Sequence, residues 1–117
     1  MIDDEEQIVS MEQQMLENLG YEVTARTDST EALKEFSEKP QNFDLVITDM
    51  TMPHISGDEL AQKLLDIKPD IPVILCTGFN EDITEEKALA MGIQKFVMKP
   101  VIKNDLATTI RMVLDQN

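Results

Sequence analysis

Basic residues are scarce in this chain. Ten Lys and Arg stand against 23 Asp and Glu over 117 residues, for a net charge of −13. A surface that holds nucleic acid needs Lys and Arg gathered on one face, and the sequence shows no such cluster. Long apolar runs are missing too. None approaches the ~20 residues that span a bilayer, so no membrane contact is expected of this domain. The chain opens Met1-Ile2-Asp3-Asp4-Glu5-Glu6, acidic where a secretory leader is basic and then apolar. Its single cysteine, Cys76, excludes an internal disulfide framework and fits a reducing, cytoplasmic setting. Tryptophan is absent and tyrosine occurs once, whereas methionine occurs eight times. Flexible thioethers therefore fill space that aromatic rings would otherwise take.

What is there is an alternation of strand and helix signals, without repeat, low-complexity segment or linker. At this length it predicts one domain over residues 1–117. Residues 1–2 read as the stub of a first strand and 21–26 as a second. Residues 43–48 are the third, where Leu45, Val46 and Ile47 are adjacent and not alternating, as in a strand buried on both faces. Residues 73–76 and 95–98 are the fourth and fifth. A first helix is expected over 6–19, with Ile8, Met11, Met15 and Leu19 inward, and Gly20 at its left-handed end. A second, over 29–37, starts at Asp28 with Glu31 three residues on and stops before Pro40. The third, over 57–67, turns Leu60, Leu64 and Leu65 inward. The fourth, over 84–91, is closed by Gly92, and the fifth, over 104–115, buries Leu106, Ile110, Val113 and Leu114. Five strands and five helices in alternation predict an α/β domain with a doubly wound parallel sheet.

In such a sheet the strand carboxyl ends gather on one edge, where open α/β folds place their chemistry. Asp3 and Asp4 follow the first strand, Asp49 the third, Thr77 the fourth and Lys99 the fifth. Three carboxylates brought together repel one another and call for a divalent cation, a nearby Lys or a retained proton. Carboxylates, a backbone carbonyl and water form an all-oxygen donor set that suits Mg²⁺. A hydroxyl and an ammonium opposite it suit a phosphoryl group. The chemistry that uses all five groups is attack by an aspartate carboxylate on phosphorus, giving an aspartyl-phosphate.

Asp3-Asp4, Asp49 with Met52-Pro53, Gly57, Thr77-Gly78, and Phe96 with Lys99-Pro100 together resemble the receiver domain of two-component response regulators, over essentially the whole chain. The resemblance implies a flavodoxin-like fold with strand order 2-1-3-4-5. It implies that Asp49 accepts a phosphoryl group from the phosphohistidine of a sensor histidine kinase or a phosphotransfer protein. Asp4, Asp49 and the backbone carbonyl of Thr51 would ligate Mg²⁺, with Mn²⁺ as a substitute, and Asp3 would act through water. Lys99 would pair with Asp49 and then with the phosphoryl oxygens. Thr77 and Phe96 would switch, the one moving to the phosphoryl group and the other swinging inward behind it. An isolated receiver is not an enzyme beyond its own phosphorylation and dephosphorylation. The chain departs from the family in its short first strand, in Thr51 and in Phe79. The run Thr48-Asp49-Met50-Thr51-Met52-Pro53 with Leu75-Cys76-Thr77-Gly78-Phe79 and Met98-Lys99-Pro100-Val101 resembles receivers at the C-termini of hybrid sensor histidine kinases. A stand-alone regulator or relay protein is the alternative parent.

Each residue also has a plainer reading. Glu5 and Glu6 suit the start of a helix as a solvated acidic run. His54, the one histidine, lies in a loop and not on an amphipathic helix, which argues against a phosphodonor role. Cys76 belongs to a buried strand. A haloacid-dehalogenase-like phosphatase also attacks phosphorus with an aspartate after a parallel strand. It needs a second acid two residues on, where this chain has Thr51.

Overall fold

The computed structural model describes residues 1–77, 85–98 and 103–115. The apolar run ahead of Asp49 forms strand β1 (Val46–Asp49). It pairs in parallel with β2 (Val73–Thr77), which pairs in parallel with β3 (Lys95–Met98). Every residue of β1 and β2 is buried, as their unbroken apolar runs require. Alternation still operates within that burial. Val46, Val73 and Leu75 belong to one apolar cluster, and Ile47, Ile74 and Cys76 to another. Helices α2 (Ser29–Glu38) and α3 (Gly57–Ile67) supply Ala32, Phe36, Leu60, Ala61 and Leu64 to the first cluster. Helices α1 (Glu6–Asn18) and α5 (Lys103–Asp115) supply Leu16, Leu106, Ile110 and Val113 to the second. The short α4 (Glu85–Ala90) precedes β3. The sheet is therefore covered on both faces, as the doubly wound expectation has it.

Two further segments complete the order. Ile2 makes parallel bridges to Arg26 on one side and to Thr48 on the other, so the spatial sequence runs 21–26, 1–3, β1, β2, β3. This is the flavodoxin-like order 2-1-3-4-5. The first and second strands are reduced to single bridges because only residues 1–3 lie between their neighbours. A cleft of about 530 Å³ opens beside them, at the amino ends of the strands, lined by Val23, Asp44, Leu45 and Ile110 among others. It is on the edge opposite the acids. Among the described residues no helix is long and apolar enough to cross a membrane.

The inward face of α1 differs from the expected one. Val9, Glu12 and Leu16 are buried, whereas Met11 is 55% exposed and Leu19 lies at the surface. The apolar stripe of this helix is wide, and Ile8, Glu12 and Leu16 stand one turn apart along it. Glu12 is carried into the core by its neighbours. Met11, at the edge of the stripe, is left in solvent.

Candidate functional site

Backbone pairing brings the acids together. The Ile2 amide donates to the Ile47 carbonyl and the Asp49 amide to the Ile2 carbonyl, both at 2.8 Å. The Asp3 amide donates to the Arg26 carbonyl at 3.2 Å. Asp3 and Asp49 therefore leave adjacent strands at the same level. One carboxylate oxygen from each of Asp3, Asp4 and Asp49 lies within 4.8 Å of the others. Asp3 is 2% exposed and Asp49 5%, while Asp4 is open to solvent. Asp3 also accepts the Glu5 amide at 3.0 Å, which fixes its side chain at the entry to α1.

At such a separation two unit charges in a partly buried site repel by about 3 kcal/mol. Three uncompensated carboxylates would cost more than any one surface contact returns, so the cluster calls for a positive partner or a proton. The donor set is all oxygen, with one solvent-open member through which an ion can enter. These residues fit a hard divalent cation with retained waters and do not fit a soft metal.

The segment after Asp49 is tied at both ends. The Met50 amide donates to the Cys76 carbonyl at 2.9 Å, and the Gly57 amide donates to the Met50 carbonyl at 2.6 Å. Gly57 has to be glycine for lack of room. A Cβ there would overlap the Asp49 carbonyl oxygen and lie 2.8 Å from the Met50 Cα. Thr51, within this loop, is exposed, and Met52 is buried.

Thr77 ends β2, buried, one residue beyond Cys76, which is the register partner of Asp49. It is itself the register partner of Met98. Phe96 is half-buried and packs against the cluster that holds Leu75. Asp3, Asp4 and Asp49 are thus brought together, and Thr77 sits at the end of the next strand. Lys99, Pro100, Gly78 and Phe79 lie outside the described residues. Two features had no signal in the sequence. Ser29 at the start of α2 reaches the loop after Asp49, and the burial of Asp3 and Asp4 differs although they are neighbours.

Residues 1–111 match the response regulator receiver domain family. The chain is 31% identical over 115 residues to the alkaline phosphatase synthesis transcriptional regulatory protein PhoP of Bacillus subtilis. That match covers 97% of this chain and 47% of PhoP. It is 35% identical over 106 residues to the response regulator SaeR of Staphylococcus epidermidis, covering 91% of this chain and 45% of SaeR. Among solved structures, a response regulator receiver domain protein from Clostridium thermocellum superposes with a TM-score of 0.93 at 35% identity, over 98% of this chain and 91% of that one. The Vibrio cholerae chemotaxis protein CheY4 gives 0.86 at 27%, over 97% and 94%.

The fold, the strand order and the acidic edge are those of a phosphorelay module. The chain belongs to the response regulator receiver domain family of two-component signalling. It spans about half the length of the curated relatives it matches.

Proposed function

We propose that Asp49 is the phosphoacceptor of a single receiver domain over residues 1–117. The observation that carries this is the convergence of Asp49 with Asp3 and Asp4 at the carboxyl edge of the sheet. A carboxylate oxygen of Asp49 attacks the phosphorus of a phosphohistidine on a sensor histidine kinase or phosphotransfer protein. The new O–P bond forms as the P–N bond breaks, and the leaving imidazole takes up a proton. Asp4, Asp49 and the Thr51 carbonyl would hold Mg²⁺, or Mn²⁺ in its place, with Asp3 acting through water. When bound, the ion supplies charge neutralisation for the transferring oxygens.

The chain's own groups do the rest. Strand pairing holds Asp49 so that little reorganisation precedes attack. Lys99 provides the counter-charge, first for the Asp49 carboxylate and then for the phosphoryl oxygens. The Thr77 hydroxyl donates to the phosphoryl group, and Phe96 follows inward into space that Thr77 vacates, which alters a partner-binding face. The domain catalyses its own phosphorylation and dephosphorylation and turns over no other substrate.

We infer a cytoplasmic site of action, where kinases present phosphohistidine. For the parent protein, the names of PhoP and SaeR favour a response regulator over the C-terminal receiver of a hybrid kinase. The charge of −13 makes this domain itself unsuited to nucleic acid.

The test is labelling with radioactive acetyl phosphate in Mg²⁺. One hydroxylamine-sensitive phosphoryl group per chain is expected, and none in Asp49→Asn. Undiminished labelling of Asp49→Asn would sink the assignment.

A further inference from the structure

Ser29 is 1% exposed, and its hydroxyl serves a segment 24 residues along the chain. It donates to the Pro53 carbonyl at 3.1 Å and accepts from the Ile55 amide at 3.3 Å. Those two groups flank His54, whose φ is 71°. The Ile55 amide also donates to the Pro53 carbonyl, at 2.9 Å. Residues 53–55 therefore form a three-residue turn of the positive-φ kind, which is strained for any residue but glycine. A turn of that kind persists only where its surroundings hold it, and here one buried hydroxyl binds both of its ends.

This turn belongs to the loop that follows Asp49. The base of the loop is closed by the bonds from Met50 to Cys76 and from Gly57 to Met50, and Met52 is anchored in the core. Thr51 lies between the closed base and the clamped turn. Released from Ser29, His54 would relax to negative φ, and the shift of Pro53 would pass along the backbone of Met52, whose side chain stays in the core, to the peptide of Thr51.

We propose that Ser29 is a positioning residue for the cation-binding loop. By gripping the peptide groups on either side of His54 it sets the path of residues 50–56, and so the place of the Thr51 carbonyl beside Asp49. The proposal rests on the receiver reading above. A serine that only satisfied two backbone groups would affect stability and leave the cation requirement alone.

The experiment measures Mg²⁺ binding, by the rise in melting temperature, and the rate of acetyl phosphate labelling, both against Mg²⁺ concentration, for wild type, Ser29→Ala, His54→Gly and the double variant. In Ser29→Ala the Mg²⁺ concentration for half-maximal rate rises about fivefold, the worth of one net hydrogen bond, and the rate at saturating Mg²⁺ is kept. Glycine adopts positive φ freely, so His54→Gly removes the need for the clamp. Adding Ser29→Ala to it then shifts the half-maximal concentration by less than about twofold. Should Ser29→Ala fail to fold, Ser29→Cys keeps the side-chain shape with a somewhat larger atom and a weaker hydrogen-bonding group, and the same rise is expected. An unchanged Mg²⁺ requirement in a folded Ser29 variant overturns the proposal, as does an equal shift with and without His54→Gly. Both outcomes leave the receiver reading standing. A wild type that is not labelled at Asp49 overturns the two together.

Discussion

The Asp49 amide donates to the carbonyl of Ile2 at 2.8 Å, one residue before Asp3. That bond fixes β1 against the segment that carries Asp3 and Asp4, and it makes the acidic site a property of sheet register. Changes in backbone packing beside this bond should therefore be felt in the chemistry.

Gly57 is the sharpest case. Its missing Cβ leaves room for the Asp49 carbonyl and the Met50 Cα. Gly57→Ala forces the start of α3 away from β1, an overpacking that costs about 1–3 kcal/mol. Urea denaturation should show this loss, and labelling of Asp49 should slow in parallel. A variant as stable as the wild type would mean that the helix start yields freely.

On the proposed reading Mg²⁺ should stabilise the folded domain, because the cluster of Asp3, Asp4 and Asp49 that would hold it exists only in the native state. At a concentration about a hundredfold above its Kd the gain is about 2.7 kcal/mol. Thermal melts with Mg²⁺ and with EDTA measure it. Asp4→Asn and Asp49→Asn should each remove most of the increment.

The register of α1 can be checked by a pair of substitutions. Leu16 is buried and Met11 is largely exposed. Leu16→Ala should cost about 2–5 kcal/mol. Met11→Gln should stay within about 0.5 kcal/mol of wild type. The reverse result would restore the inward face expected from Met11, Met15 and Leu19.

Asp28 caps α2. The Thr30 hydroxyl, helped by the Thr30 and Glu31 amides, holds its carboxyl below the ordinary 3.8. The folded state therefore prefers the charged form. The cap's contribution is complete above the ordinary value and is lost as pH falls through the lower, folded one. Asp28→Ala should be less stable than wild type at neutral pH, and the gap should narrow in acid. Melts across a pH series read it directly.

The strands were legible because burial on both faces leaves unbroken apolar runs. Val73 to Cys76 is such a run, and it is fully buried. The start of α2 was legible because Asp28 and Glu31 form a local signal, confirmed by the amide bonds to Asp28. The inward face of α1 was not. Ile8 and Val9, and Met15 and Leu16, offer two neighbouring registers, and only packing against Ile47 and Ile74 selects between them.

The sequence by itself determined the alternating architecture and the edge on which Asp3, Asp4, Asp49 and Thr77 would meet. Strand direction and right-handed crossovers leave no other edge for residues at strand ends. The tertiary structure alone decided that Asp3 is enclosed while Asp4 faces solvent. It also decided that Ser29 grips the turn at His54. Those facts depend on contacts between segments that are distant in the chain, and local patterns of residue type carry no record of such contacts.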